Sequence, residues 1–148
     1  MRSWIVLGAV MLVTASAVQA QSIDDPRDLR ITASDMHGNY TGRQWWKSFY
    51  QCWAWHSLFR PDYTRTATDS AKARLFKLAA DARLTKDRDA PGDPVLEAYF
   101  NGRMAQDVTR QHGSFKQVAA LQDKPESESA LYFDTYCDQL LAAHARLS

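Results

Sequence analysis

The chain has 148 residues, of which 18 are Lys or Arg, 17 are Asp or Glu and 45% are hydrophobic. This length accommodates one folded domain of ordinary size but not two. The near-zero charge excludes a polybasic nucleic-acid-binding protein and a disordered acidic tail. The 6 Gly and 5 Pro exclude collagen-like and low-complexity sequence. No P-loop, dinucleotide-binding glycine pattern, haem motif CxxCH or zinc motif HExxH occurs in the chain.

The N-terminus has the three parts of a secretory signal peptide. Arg2 precedes an apolar run at residues 5–13, and the small residues Val18 and Ala20 follow at the cleavage positions. The run is shorter than the roughly 20 apolar residues that a membrane span needs. The sequence therefore predicts a signal peptide at residues 1–20 and an exported, soluble domain at residues 21–148. We expect neither nucleic acid nor a membrane among its partners after cleavage.

The first part of this domain is predicted to hold a short and a long helix. The short one covers residues 26–36 and ends before Gly38. Residues 41–44 have the Thr-x-x-Gln form of a capping box, which predicts the start of the long helix. This helix should run to Phe59 or the next residue, because Pro61 blocks its continuation. Its apolar stripe contains Trp45, Phe49, Cys52, Trp53, His56 and Phe59.

A further helix is predicted from about residue 68 to residue 84. Its small and apolar side chains recur at helical spacing and predict one buried face. That face contains Ala71, Leu75, Leu78, Ala79 and Ala82. Residues 85–93 are charged, include Pro and Gly and have no apolar period, so they predict an exposed loop.

The C-terminal half is predicted to be helical as well. Asp93-Pro94 is a strong helix start, and His112-Gly113 should end that helix. A short helix over residues 114–121, a polar loop over residues 122–129 and a last helix over residues 129–146 follow. No segment alternates apolar and polar residues with a period of two. The sequence therefore predicts a compact all-α bundle of four or five helices.

The two cysteines, Cys52 and Cys137, each fall in the apolar stripe of a separate long helix. An exported chain with an even number of cysteines favours a disulfide between them, which would clamp the bundle. Two other interpretations remain open. His56 and His144 share helix faces with the cysteines, so the four side chains also suit a tetrahedral zinc site. Cys52 and His56 alone suit a nucleophile and its base.

The tryptophans of the long helix are divided between its faces. Trp45 and Trp53 are predicted to fill the core, whereas Trp46 and Trp55 point elsewhere around the helix. One of the latter two is a candidate for an exposed contact with a partner, since exposed Trp side chains dominate many interfaces. The acidic residues lie in predicted loops and form no catalytic pair.

Four segments of the chain carry a resemblance to a known family. They are residues 46–52 (WKSFYQC), 71–82, 99–104 (YFNGRM) and 132–138 (YFDTYCD). In this arrangement an aromatic helix with one Cys, an Ala-rich helix and a final helix with the second Cys follow one another between residues 40 and 144. The chain thereby resembles the periplasmic immunity proteins that protect bacteria from type VI secreted peptidoglycan amidases.

The resemblance implies an inhibitor in the periplasm rather than an enzyme, with no metal and no cofactor. Members fold as small helical proteins, often as homodimers, and block their cognate amidase by inserting a loop into its substrate cleft. The composition leaves two alternatives open. One is an accessory structural protein of the envelope or of a secretion system, and the other is a small ligand-binding module that uses exposed Trp.

Two predicted loops qualify as the partner-binding element, because binding residues concentrate on loops of a rigid scaffold. The preferred loop joins the helix that carries Cys137, and its proline lowers the cost of ordering. Its candidate contact residues are Asp123, Lys124, Pro125, Glu126 and Glu128. The secondary candidates are Asp87, Arg88 and Asp89 of the other loop, together with Trp46 and Trp55.

Overall fold

The computed structural model describes residues 22–36, 38, 40–59 and 67–147, so the predicted signal peptide lies outside the described residues. Five α-helices account for most of this part of the chain. They are α1 (Trp45–Ala54), α2 (Ala67–Arg88), α3 (Asp93–Gly102), α4 (Met104–Leu121) and α5 (Ser127–Ala145). A π-helical segment, Trp55–Phe59, continues α1. The predicted all-α bundle is confirmed.

Helix α1 lies at the centre of the bundle. It packs mainly against α2 and also contacts α4 and α5, which pack against each other. Aromatic side chains fill the core between these helices, because each removes a large apolar area from water. The largest of them are Trp45, Trp46, Phe49, Trp55, Phe76, Tyr99, Phe133 and Tyr136.

A disulfide between Cys52 and Cys137 joins α1 to α5, as predicted. The two Cα atoms are 5.7 Å apart, and neither residue is exposed to solvent. Each sulfur is bonded to the other and is therefore available neither as a zinc ligand nor as a nucleophile. The structure thus excludes the two alternative interpretations of these cysteines.

The segment before α1 is not the predicted short helix. Residues 26–36 form turns, and Arg30 makes an isolated antiparallel bridge with Gln44. The amide of Ile31 donates to the carbonyl of Arg43, and that of Gly42 donates to the carbonyl of Ile31, each at 2.8 Å. These hydrogen bonds to residues 42 and 43 take the place of helical ones. The segment therefore lies along the start of α1, where Ile31 is buried.

The predicted capping box at residues 41–44 is also absent. Gln44 occupies the N-cap position of α1 without a capping hydrogen bond from its side chain. Its amide instead donates to a carboxylate oxygen of Asp28 at 2.8 Å. The box is absent because α1 begins at Trp45, three residues later than a box with Thr41 at the N-cap requires.

Helix α2 buries a different face from the predicted one. The residues against the core are Ala73, Phe76, Ala80 and Leu84, whereas Leu75 and Leu78 are largely exposed. Both sets recur at helical spacing, so the sequence period alone does not distinguish them. Phe76 decides the orientation because its ring packs between Phe49 and His56.

The helix boundaries also differ from the predicted ones at four places. Helix α2 continues to Arg88, which shortens the predicted loop at residues 85–93 to residues 89–92. The predicted helix over residues 93–112 breaks after Gly102, where Arg103 leaves helical geometry with φ −120°. Gly113 lies inside α4, since a single interior glycine costs only about 1 kcal/mol relative to Ala. Helix α5 begins at Ser127 and therefore includes Glu128 in its first turn.

Within the described ranges, none of the helices combines the length and the apolar character that crossing a bilayer requires.

Candidate partner-binding surface

The turn between α4 and α5, residues 122–126, has the geometry of a Schellman motif. The amide of Lys124 donates to the carbonyl of Ala119 at 2.9 Å, and the amide of Asp123 donates to that of Ala120 at 3.1 Å. Asp123 has φ +54°, the left-handed conformation that this motif requires. Pro125 follows shortly afterwards, as is common beyond such a helix end. The turn is therefore a defined structure rather than a free loop.

Side chains hold the turn at both ends. Lys124 forms an ion pair with Glu128 at 3.2 Å, and this contact raises the pKa of the Lys124 ammonium group. Lys116 forms an ion pair with Glu126, and the hydroxyl of Tyr132 donates to Gln122 at 2.5 Å. Each pair is exposed and contributes little to global stability. Together they restrict the positions of the acidic groups.

Apolar side chains border this turn. Leu121, the last residue of α4, is 88% exposed, and Leu131 in the second turn of α5 is 57% exposed. Val118, one helical turn before Leu121, is also exposed. Exposed aliphatic groups beside polar ones are typical of protein contact surfaces. We call residues 122–126, with Val118, Leu121 and Leu131, the α4–α5 tip.

The structure brings the preferred partner-binding candidates together at this tip. Asp123, Lys124, Pro125 and Glu126 are exposed on the turn, and Glu128 is half-buried on the first turn of α5. Sequence reasoning did not include Leu121 or Leu131. A leucine at a helix end reads the same in the sequence whether it is buried or exposed.

Two of the three secondary candidates that were predicted to lie in the other loop belong to helix α2 instead. Asp87 is on α2, where its carboxylate accepts from Arg83 at 2.8 Å and from the amide of Leu29 at 2.9 Å. Arg88 is buried against Asp28. Only Asp89 is exposed, beyond the end of α2. This segment therefore anchors the N-terminal residues and does not present the predicted charged surface.

Neither tryptophan proposed as an exposed contact is exposed. Trp46 is buried, and its indole donates to Asp28 at 2.9 Å. Trp55 is buried too: its ring stacks on Phe133 at 4.5 Å, and its indole donates to Asp134 at 2.9 Å. The prediction was wrong because α1 is covered on nearly every side, by segments that are distant in sequence.

Trp53, which was predicted to fill the core, is instead partly exposed. It lines a groove of about 300 Å³ together with Tyr50, Lys77, Asp93, Leu96, Glu97 and Phe100. Its ring stacks on Tyr50 at 4.6 Å, and the Lys77 ammonium lies 5.5 Å from the ring centroid. Burial and the carboxylates of Asp93 and Glu97 raise the pKa of Tyr50 to about 12.

His56 is enclosed in the core. Its Nδ1 atom lies 3.3 Å from a carboxylate oxygen of Asp69, and its ring stacks on Phe76. Burial lowers the pKa of His56 below its ordinary value, so the ring is neutral near pH 7. These surroundings fit the predicted structural role.

Sequence reasoning missed a polar cleft between α1, α4 and the N-terminal segment. Its volume is about 350 Å³. The residues that line it are Asp24, Arg30, Arg43, Gln44, Lys47, Ser48, Gln51, Asp107, Arg110, Gln111 and Ser114. They come from three separate parts of the chain, and no local motif marks them in the sequence.

Comparison of the chain with protein families, with curated proteins and with solved structures finds no match.

Proposed function

We propose that the protein is a periplasmic immunity protein that binds a secreted peptidoglycan amidase and blocks its substrate cleft with the α4–α5 tip. The resemblance in sequence supplies the class of partner. One structural observation supports the proposed surface: the tip combines a defined acidic turn with exposed leucines. A turn that is already ordered loses little conformational entropy on binding.

The proposed mechanism is occlusion. A cleft that accepts a peptide presents hydrogen-bond donors and apolar pockets, which match the carboxylates of Asp123 and Glu126 and the side chain of Leu121. The disulfide between Cys52 and Cys137 fixes α5 on α1, and α5 in turn supports the tip. No group of the inhibitor has to react, because exclusion of the substrate is enough to stop hydrolysis.

The test uses a secreted Cys-His peptidoglycan amidase, sought first among the genes that neighbour this one. Calorimetry and a peptidoglycan hydrolysis assay should show tight binding and complete inhibition. Replacing Asp123, Glu126 and Glu128 by Ala should weaken binding at least 30-fold, about 2 kcal/mol. Leu121→Ser should weaken it independently, since it removes apolar contact area without changing charge.

The matched control removes acidic groups outside the tip. Asp89 and Asp138 are exposed, and Asn at both positions should leave affinity and inhibition unchanged. Full inhibition by the tip variants, with unchanged thermal melts, would contradict the proposed surface. Stable binding without inhibition would point instead to an accessory structural protein of the envelope.

A second candidate function is favoured by the groove at Trp53. Its aromatic wall and its polar rim of Lys77, Asp93 and Glu97 resemble the combination of stacking and hydrogen-bonding groups that binds sugars. Soluble peptidoglycan fragments should then quench Trp fluorescence in the parent protein. The quenching should be lost in Trp53→Leu, and Leu78→Ala provides an exposed control on α2.

A further inference from the structure

The polar cleft between α1, α4 and the N-terminal segment is distinct from the α4–α5 tip. Its rim carries four cationic side chains and two carboxylates. Both carboxylates have partners: Asp24 accepts from Lys47 at 3.0 Å, and Asp107 accepts from the hydroxyl of Tyr99 at 2.8 Å. The acidic groups therefore do not neutralise the whole rim.

Two of the cations have no carboxylate partner among the described residues. The guanidinium of Arg30 donates to the carbonyl of Gly42 at 2.7 Å, and that of Arg43 lies 5.6 Å from the ring centroid of Tyr40. A carbonyl and an aromatic ring do not neutralise these charges, and Asp24 interacts with Arg30 only at longer range, where the guanidinium helps to lower the pKa of that carboxyl. Arg30 and Arg43 are thus available to an anion in the cleft.

The start of α1 adds to the positive potential. Gln44, Lys47 and Ser48 belong to the first turn of this helix or its cap, and all three line the cleft. The helix has no side-chain cap: Gln44 at the N-cap position makes no capping bond, and its Nε2 atom donates to Asp28. The amide of Trp45 donates to the carbonyl of Leu29 at 3.1 Å, so the helix contributes mainly the partial positive charge of its N-terminus, which favours an oxyanion.

The floor of the cleft holds two buried amides with unused hydrogen-bonding capacity. Gln51 and Gln111 are each 7% exposed, and neither Gln51 Oε1 nor Gln111 Nε2 has a hydrogen-bond partner among the described residues. Both atoms are closed off from solvent, so a ligand reaches them only when the two side chains turn toward the cleft. The hydroxyl of Tyr99 donates to Asp107, so it must accept from Gln51 Nε2, which lies 2.7 Å away. That contact identifies Oε1 as the end of the Gln51 amide that is left as an unpaired acceptor.

We propose that this cleft binds a small molecule that ends in a carboxylate and carries an amide next to it, such as an N-acyl amino acid or the end of a short peptide. The carboxylate pairs with Arg30 and Arg43 at the rim. The side chains of Gln51 and Gln111 turn toward the ligand, so that its amide N–H donates to Gln51 Oε1 and its amide carbonyl accepts from Gln111 Nε2. A volume of about 350 Å³ suits a ligand of this size and excludes a folded partner.

The experiment titrates the isotope-labelled protein with N-acetylglycylglycine and follows backbone amide shifts by NMR. The matched control ligand is N-acetylglycylglycinamide, which has the same shape without the negative charge. The shifts should be confined to residues around Lys47, Ser48, Gln51 and Gln111, with at least tenfold weaker binding of the neutral ligand. Equal affinities, or shifts spread over other surfaces, would overturn the proposal.

Variants separate the cleft from nonspecific attraction of charge. Arg30→Gln with Arg43→Gln should weaken binding of the acid at least tenfold, and Arg110→Gln should weaken it by a smaller factor. The control is Arg74→Gln with Lys86→Gln, which removes the same charge from exposed positions on α2. Thermal melts check that each variant folds. Arg110→Gln keeps the test valid if the Arg30 and Arg43 variant does not fold, because the Arg110 side chain is 75% exposed and its replacement should not disturb the fold. An equal loss in the control variant would overturn the proposal.

Inorganic phosphate provides the third arm. It supplies an oxyanion without an amide and should compete with N-acetylglycylglycine only weakly. Phosphate that binds at least as tightly as the acylated dipeptide would overturn the assignment of the amide-binding floor. These outcomes are independent of amidase inhibition, so this proposal and the proposed function succeed or fail separately.

Discussion

Arg88 and Asp28, 60 positions apart in the chain, form a two-pronged ion pair in the interior. The Nε and Nη2 atoms of Arg88 donate to the two carboxylate oxygens of Asp28, each at 2.7 Å, and both side chains are essentially inaccessible to solvent. Gln44 and Trp46 donate to the same carboxylate. The pair thereby fastens the N-terminal segment to the end of α2 and to the start of α1.

Breaking this pair should be strongly destabilising. Asp28→Ala leaves a buried guanidinium without its partner, and Arg88→Met leaves a buried carboxylate, so each should lower the free energy of unfolding by about 3–5 kcal/mol. Asp28→Ala combined with Arg88→Met should cost less than the sum of the two single changes. Urea denaturation of the four proteins forms the double-mutant cycle. Additive losses would contradict the coupling.

Removal of the disulfide should also weaken the fold. The bond closes a loop with a sequence separation of 85. Chain entropy then predicts about 4.5 kcal/mol, and measured losses for native disulfides are about 2–5 kcal/mol. Ala at both Cys52 and Cys137 should lower the free energy of unfolding within that range. Thiol titration of the denatured, unreduced parent should find no free thiol, and two free thiols would refute the bond.

Asp123 offers a test of the turn geometry. Because its φ is +54°, a β-branched side chain is strained there, and Asp123→Val should lower the free energy of unfolding by about 1–2 kcal/mol. Asp123→Gly should stay within about 1 kcal/mol of the parent, since glycine adopts this conformation freely. Glu126 has φ −57°, so Glu126→Val is the control and should show no comparable strain. Thermal unfolding of the three variants provides the measurement.

Mild acid should destabilise the protein through its histidines. Burial lowers the pKa of His56, His112 and His144 below 6.5, although the carboxylates of Asp69 and Asp134 oppose this at His56. As the pH falls through 6.5, the unfolded chain takes up protons that the folded chain does not. Stability is therefore fully present above that pH and decreases below it until the folded pKa values are reached.

Urea denaturation at pH 7.5, 6.5 and 5.5 measures this dependence. His56→Gln should flatten the slope, because His56 is the most deeply buried of the three described histidines. If amidase inhibition is established, this variant should also retain binding within about threefold at pH 7.5, less than 1 kcal/mol. Stability that is constant or rises on acidification would contradict the account.

The helices and the disulfide were predictable because they depend on local patterns and on residue types. The spacing of apolar residues predicted the long first helix. The position of one cysteine in each of two apolar stripes predicted the disulfide between Cys52 and Cys137. The turn after α4 was also predictable, since Pro125 and a run of polar residues interrupt the period. These features can be predicted without knowing which other segments pack against a helix.

The orientation of the helices was not predictable in this way. Helix α2 has two faces with the same period, and only contact with Phe49 and His56 selects the one that carries Phe76. Arg88 looks like a surface residue in sequence, yet its partner Asp28 lies in a segment that was predicted to be a helix. The polar cleft likewise depends on three segments that meet only in the folded chain.

The burial of both sulfur atoms has a consequence for the order of events in folding. An oxidant or a thiol has to reach a sulfur atom directly to make or break the bond, and the closed core offers no access to Cys52 or Cys137. The bond must therefore form while α1 and α5 can still separate. Once packing is complete, reductants act only on molecules that have opened, so the rate of opening sets the lifetime of the oxidised protein.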